Sequence, residues 1–360
     1  MPLHGIDHIE LYVGNSAQAA RFYEEAFGFQ RVGYAGLETG SRDRGSYVLE
    51  QGAIRLVLTS ALTPDHPIGY HVARHGDAVK VVAFSVADTH AAFDEAVRRG
   101  ARPTREPRIV SDPDGTVVLA SIAAFGDVEH AFVQRDAYAG AFLPGYERHR
   151  RSPHPTSDVG LLAIDHVVGN VGLGEMDHWV RFYSDVFGMT ELNAFTGEAI
   201  STEYSALMSK VVTNGNGRIK LPINEPAEGR RRSQIDEFLE FNAGPGVQHL
   251  ALTSRDIVAT VQALRERGIE FLRTPGPYYE ALRQRVGEIP HSLDDLKRLG
   301  ILADRDEDGY LLQVFTKPVG DRPTLFIEII ERHGARGFGQ GNFKALFEAI
   351  EQEQDRRGNL

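Results

Sequence analysis

Apolar positions along the chain fall into short runs that read as strands, each followed by apolar residues at helical spacing and then a Gly. Ile6-Asp-His-Ile-Glu-Leu-Tyr-Val-Gly-Asn15 and then Ala20-Arg-Phe-Tyr-Glu-Glu-Ala-Phe-Gly-Phe29 form the first such unit. The pattern returns as Ile164-Asp-His-Val-Val-Gly-Asn170 and Val180-Arg-Phe-Tyr-Ser-Asp-Val-Phe-Gly-Met189. A second helix ending at Gly is predicted in each half, at Ala91–Gly100 and Thr260–Gly268. Tight turns feeding strands follow at Asp112-Pro-Asp-Gly115 and Asp306-Glu-Asp-Gly309. The chain is therefore an internal duplication, each half two units of one strand, one helix and several strands.

Between the copies lies Pro144-Gly-Tyr-Glu-Arg-His-Arg-Arg-Ser-Pro-His-Pro155, rich in Pro and charge. This sets the expected division: an N-terminal domain over 1–143, a linker over 144–160 and a C-terminal domain over 161–360. The second half has insertions: a hairpin turn at Asn214-Gly-Asn-Gly217, a loop before a helix near Gln234, and a segment at 275–302 in which Ser292 is a helix cap. Near the end, Phe343, Leu346, Phe347 and Ile350 share one face of a helix, and the polar stretch from Glu348 onward is expected to finish in solvent.

One strand breaks the apolar pattern. Thr324-Leu-Phe-Ile-Glu-Ile-Ile-Glu-Arg332 is apolar on both faces yet carries Glu328. A carboxylate buried there needs a cation or a dense hydrogen-bond set. Overlaying the two copies sets His8 against His166, Val81 against His249 and Ala131 against Glu328. Only the second copy has a complete ligand set, so His8 is expected to be structural.

The 360 residues hold no Cys, which removes thiolate nucleophiles, zinc-thiolate sites and iron–sulfur clusters together. Two His and one carboxylate from three strands then match the facial triad of non-heme Fe(II) oxygenases, although Mn(II), Ni(II), Co(II) or Zn(II) could use the same donors. A net charge of −11 argues against nucleic acid as a partner. The N-terminus lacks signal-peptide character and no apolar run has the length of a membrane span, so the expected location is the cytoplasm.

With these residues assembled, the chain resembles the 4-hydroxyphenylpyruvate dioxygenase family of the vicinal oxygen chelate superfamily. The likeness is densest in Glu203–Lys210, Leu221–Pro226, Ser233–Leu239, Gly246–His249, Asp308–Pro318 and Gly337–Phe347. It implies an α+β fold of paired βαβββ modules, each half an open barrel, with Fe(II) held by His166, His249 and Glu328. It implies that Ser205, Asn224, Gln234, Gln248 and Gln313 present polar groups to the substrate. It further implies that Phe315, Phe326, Phe338, Phe343, Asn342 and Leu346 form the substrate pocket. The glycines between Gly337 and Gly341 are expected to let the helix from Asn342 swing as a lid over that pocket. The implied reaction takes 4-hydroxyphenylpyruvate and O2 to homogentisate and CO2 in tyrosine catabolism, in a homo-oligomer, dimer or tetramer. Pro222, Asn224 and Phe343 follow the dioxygenase pattern, not that of 4-hydroxymandelate synthase, which hydroxylates the benzylic carbon of the same substrate. A binding protein of the superfamily, without catalysis, and an extradiol-type ring-cleaving dioxygenase on a related scaffold are the remaining alternatives.

Overall fold

The computed structural model describes residues 1–135, 138–148, 157–195, 206–227 and 232–358. Its first sheet contains β1 (Gly5–Tyr12), β2 (Gln30–Ala35), β3 (Arg44–Gln51), β4 (Ile54–Ala61), β5 (Ala78–Ser85), β6 (Pro103–Asp112), β7 (Gly115–Ala123), β8 (Glu129–Gln134) and the short β9 (Glu147–Arg148). The second contains β10 (Leu161–Asn170), β11 (Thr190–Phe195), β12 (Ala206–Thr213), β13 (Lys220–Ala227), β14 (Gly246–Ser254), β15 (Leu302–Arg305), β16 (Tyr310–Phe315) and β17 (Phe326–His333). The strand orders are β6-β7-β8-β5-β1-β4-β3-β2-β9 and β11-β12-β13-β10-β14-β17-β16-β15. Read from opposite ends, and apart from β9, they are the same order, so the sequence repeat is a repeat of topology.

Helices α1 (Ser16–Phe27), α2 (Pro67–His75) and α3 (Thr89–Arg98) belong to the first half. The second half has α4 (Met176–Phe187), α5 (Gln234–Phe241), α6 (Ile257–Glu266), α7 (Gly276–Glu280), α8 (Leu282–Val286), α9 (Leu293–Leu299) and α10 (Phe343–Arg357). The expected stops and caps are present. Gly28 and Gly188 end α1 and α4 in the left-handed region, where a side chain would be strained. Ser292 caps α9 by accepting from the Asp295 amide.

The stretch from Glu348, expected to finish in solvent, does so only from Asp355 on; its first part is corrected. Ala349, Glu351 and Gln354 are buried, because α10 lies against α5 and packs Ala345 and Ala349 with Leu302, Phe315 and Phe326 of the sheet. Arg357 pairs with Glu237 on α5 at 2.6 Å, and Gln354 reaches the Ser233 carbonyl.

His130 on β8 joins the halves. Its Nδ1 lies 3.1 Å from the Val82 carbonyl, which only accepts, so Nδ1 carries the proton and Nε2 accepts from the Tyr183 hydroxyl of α4 at 2.8 Å. Burial lowers its pKa from 6.5 to about 4. The unfolded chain takes up this proton near 6.5 and the folded one only near 4, so stability is full above 6.5 and falls as pH drops toward 4. Urea unfolding should show wild type losing about 2 kcal/mol more between pH 7 and pH 5 than His130→Phe does. Equal slopes for the two proteins would refute the assignment.

Candidate active site

Three neighbouring strands place the triad by register. β10 and β14 pair with His166 opposite Ala251, and β14 pairs with β17 with Ala251 opposite Glu328. His249 is two residues before Ala251 on β14, hence on the same face. All three side chains therefore converge, although 162 positions separate His166 from Glu328. In the first half the same register sets His8 opposite Ala83 and Ala83 opposite Ala131, with Val81 two residues back. The sequence overlay and the sheet register agree at each of these positions.

The chemistry of the cluster calls for a cation. Glu328 is 3% exposed, and its Oε2 lies 3.2 Å from His166 Nε2 and 3.3 Å from His249 Nε2. His166 Nδ1 donates to Asp165 Oδ2 at 2.7 Å, and His249 Nδ1 to Gln248 Oε1 at 3.0 Å. With those protons on Nδ1, both Nε2 atoms present lone pairs toward the carboxylate, the arrangement of metal-ligating His. Burial opposes charge throughout. Even so, the two imidazoles hold Glu328 well below the usual carboxylate range, and Glu328 with Asp165 raises the pKa of His166. Burial lowers that of His249. A metal ion on His166 Nε2 competes with this raised proton affinity, so metal binding should weaken as pH falls.

Asp165 is the part that residue-by-residue reading missed. Arg332 donates to both its oxygens at 2.8 Å, and Lys220 to Oδ1 at 3.0 Å. Arg332 also donates to the Ala335 and Gly337 carbonyls, tying this group to the loop that carries Phe338. The signal was in the repeat: Asp7 holds His8 at 2.7 Å and is itself held by Arg135 at 2.6 Å. The first half thus keeps the orienting set without the ligands.

The triad opens into a cavity of about 620 Å³ of space between atoms, part of it open to solvent. Phe315, Phe326, Phe338 and Phe343 line it together with Leu346, as do the amides of Asn224, Gln234, Gln248 and Gln313. Phe326 stacks on His249 at 4.7 Å, and Phe338 stands edge-on to His166 at 5.1 Å. Leu207, Ser209, Val211 and Phe347 also line the cavity and were not anticipated as lining. Asn342 is corrected: it is not among the residues that line the cavity, and its Oδ1 accepts from the Tyr278 hydroxyl at 2.6 Å and from Arg285. Ser205 lies outside the described residues.

Gln313 is 1% exposed, and its Oε1 has no hydrogen-bond partner, an acceptor held ready at the cavity wall. Gly339, at φ 75°, leaves room for it; a Cβ there would stand 2.3 Å from that oxygen. Gly339→Ala should displace Gln313 and lower kcat/KM by about 10²-fold, since a misplacement of about 1 Å costs that much. Metal content should be unchanged. Steady-state kinetics beside metal analysis checks this, and wild-type kinetics would exclude a positioning role for Gln313.

The fold and the site define a metal-dependent member of a known class. Residues 5–118 and 163–314 match the Glyoxalase/Bleomycin resistance protein/Dioxygenase superfamily. Within it, 4-hydroxyphenylpyruvate dioxygenase of Yarrowia lipolytica is 45% identical to this chain, covering 99% of it and 93% of the relative. The enzyme of the same name from Dictyostelium discoideum is 46% identical over 99% and 100%. A solved triple mutant of 4-hydroxymandelate synthase from Streptomyces coelicolor superposes with a TM-score of 0.88 at 39% identity, covering 98% of this chain and all of that one. The chain belongs to the 4-hydroxyphenylpyruvate dioxygenase family.

Proposed function

We propose that this chain is an Fe(II)-dependent dioxygenase converting 4-hydroxyphenylpyruvate and O2 to homogentisate and CO2 in tyrosine catabolism. The observation that carries the reading is the buried His166–His249–Glu328 set, open on one side to a cavity walled by phenyl rings and amides. Two imidazoles and a carboxylate, in a chain without thiolates, suit Fe(II). His166, His249 and Glu328 would hold the iron, which when bound supplies a Lewis acid for the 2-oxo acid and activates O2.

The protein's own part is binding, orientation and exclusion of water. Phe315, Phe326, Phe338 and Phe343 bury an aromatic ring against apolar faces. Gln313, Gln248, Asn224 and Gln234 offer hydrogen bonds to the polar ends of the substrate, with Ser205 assigned to the same set by resemblance. Phe338, in the loop ahead of α10, and Phe343, its first residue, close the solvent side and keep water from the reacting atoms.

A second reading, benzylic hydroxylation to 4-hydroxymandelate, has the superposed synthase in its favour. Phe343 on the cavity wall supports the dioxygenase, since a bulky ring there tilts the substrate ring toward the reacting centre. Chromatography of products formed with Fe(II) and O2 separates the two: homogentisate is expected, and 4-hydroxymandelate as the main product would replace this reading with the synthase. Among the described residues no helix is long and apolar enough to cross a membrane. We assign the enzyme to the cytoplasm as a homo-oligomer, with the N-terminal half supplying subunit contacts.

A further inference from the structure

Away from the proposed iron site, α2 carries His71-Val-Ala-Arg-His75, with its two His one helical turn apart on one face. Their ring centroids are 4.5 Å apart. The loop between β7 and β8 brings Asp127 to the same place, so that one donor atom from each of the three lies within 4.8 Å of the others. His75 Nδ1 lies 2.5 Å from the Asn242 carbonyl oxygen. A carbonyl only accepts, so this nitrogen carries the proton and the neutral ring has a bare Nε2. That Nε2 faces Asp127 Oδ2 at 2.8 Å, acceptor against acceptor, unless a second ring proton or a metal ion lies between. His71 adds a further lone pair. Its Nε2 is buried without a hydrogen-bond partner, and burial, helped by His75 and Lys80, lowers its pKa to about 4 and keeps the ring neutral at pH 7.

We propose that His71, His75 and Asp127 form a second metal site, which takes a borderline transition-metal ion such as Zn(II) or Co(II) through two imidazole nitrogens and one carboxylate oxygen. Water completes the coordination, as in other sites with three protein ligands. The Asp127 side chain is 48% exposed, which gives the ion a path in. Arg74 Nη1 lies 3.5 Å from Asp127 Oδ2 and competes for that oxygen, so the site is weaker than a closed four-ligand one. The Asn242 carbonyl sets the His75 tautomer, the usual role of an outer partner. Asn242 also stands just ahead of β14, the strand that carries His249. An ion at this point ties the first half to a ligand-bearing strand of the second, across a seam already closed by Arg322, which donates to the Arg74 and Phe241 carbonyls.

Equilibrium dialysis of Zn(II) against the full-length Glu328→Ala protein tests the proposal, since that protein lacks a ligand of the proposed iron site. Adding His71→Ala, or separately Asp127→Asn, should remove one bound equivalent and abolish the Zn(II)-induced rise in Tm. Asp127 is half exposed, so its replacement keeps the test valid even where a His variant folds poorly. Unchanged Zn(II) stoichiometry and an unchanged Tm response in both variants would overturn the proposal and leave a His75–Asp127 ion pair in its place.

Discussion

Glu328→Ala is expected to lose Fe(II) on desalting and to show no measurable turnover of 4-hydroxyphenylpyruvate, whereas His8→Ala keeps both. Glu328 Oε2 lies within 3.3 Å of both His Nε2 atoms. Removing one member of such a buried charged set forfeits roughly 3–5 kcal/mol of pairing. For metal affinity that is a drop on the order of 10²- to 10⁴-fold. The adjoining strand offers no substitute, since Ala251 stands level with Glu328. His8 has Val81 and Ala131 where a metal would need donors, so its loss reaches only local packing against Asp7 and Phe142. Metal analysis and oxygen uptake on both variants decide the matter; retained iron in Glu328→Ala would remove the ligand assignment.

Asp165→Asn is expected to weaken metal binding by about 10- to 100-fold, the usual cost of removing an outer partner of a metal-bound His. Asp165 fixes the proton on His166 Nδ1 and so aims Nε2 at the site. Its own pKa is held far below the carboxylate range: burial alone would raise it, but His166 and Arg332 prevail. The Asn variant leaves Arg332 and Lys220 facing a neutral amide, so the fold should lose stability as well. Asp7→Asn supplies the control, because Asp7 holds His8 and Arg135 in the same way without a metal behind it. Chelator competition and thermal unfolding on both variants separate the effects: stability should fall in each, metal affinity only in Asp165→Asn. Equal metal affinity in Asp165→Asn and wild type would show that His166 needs no orienting partner.

The convergence of His166, His249 and Glu328 was legible because the duplication provides an internal reference. Glu328 stands out against Ala131 and His249 against Val81, and strand pairing then aligns them without further choice. The phenyl and amide walls were legible only through resemblance, since no spacing along one strand tells which neighbours face it. Asn342 shows the limit. It lies in a stretch rich in site residues, yet it is absent from the cavity wall and its Oδ1 is taken up by Tyr278 and Arg285. The middle of α10 shows it again: Glu351 and Gln354 read as solvated until α5 is placed beside them.

By itself the sequence determined the duplication, the strand–helix order, the absence of thiolate chemistry and the half that carries the ligands, because period and composition are local properties. Tertiary structure alone decided which side chains point into the cavity, that Arg332 and Lys220 reach Asp165, and that Asp127 meets His71 and His75. Each of these is a contact between segments distant along the chain, set by strand register and helix docking, which no local pattern encodes.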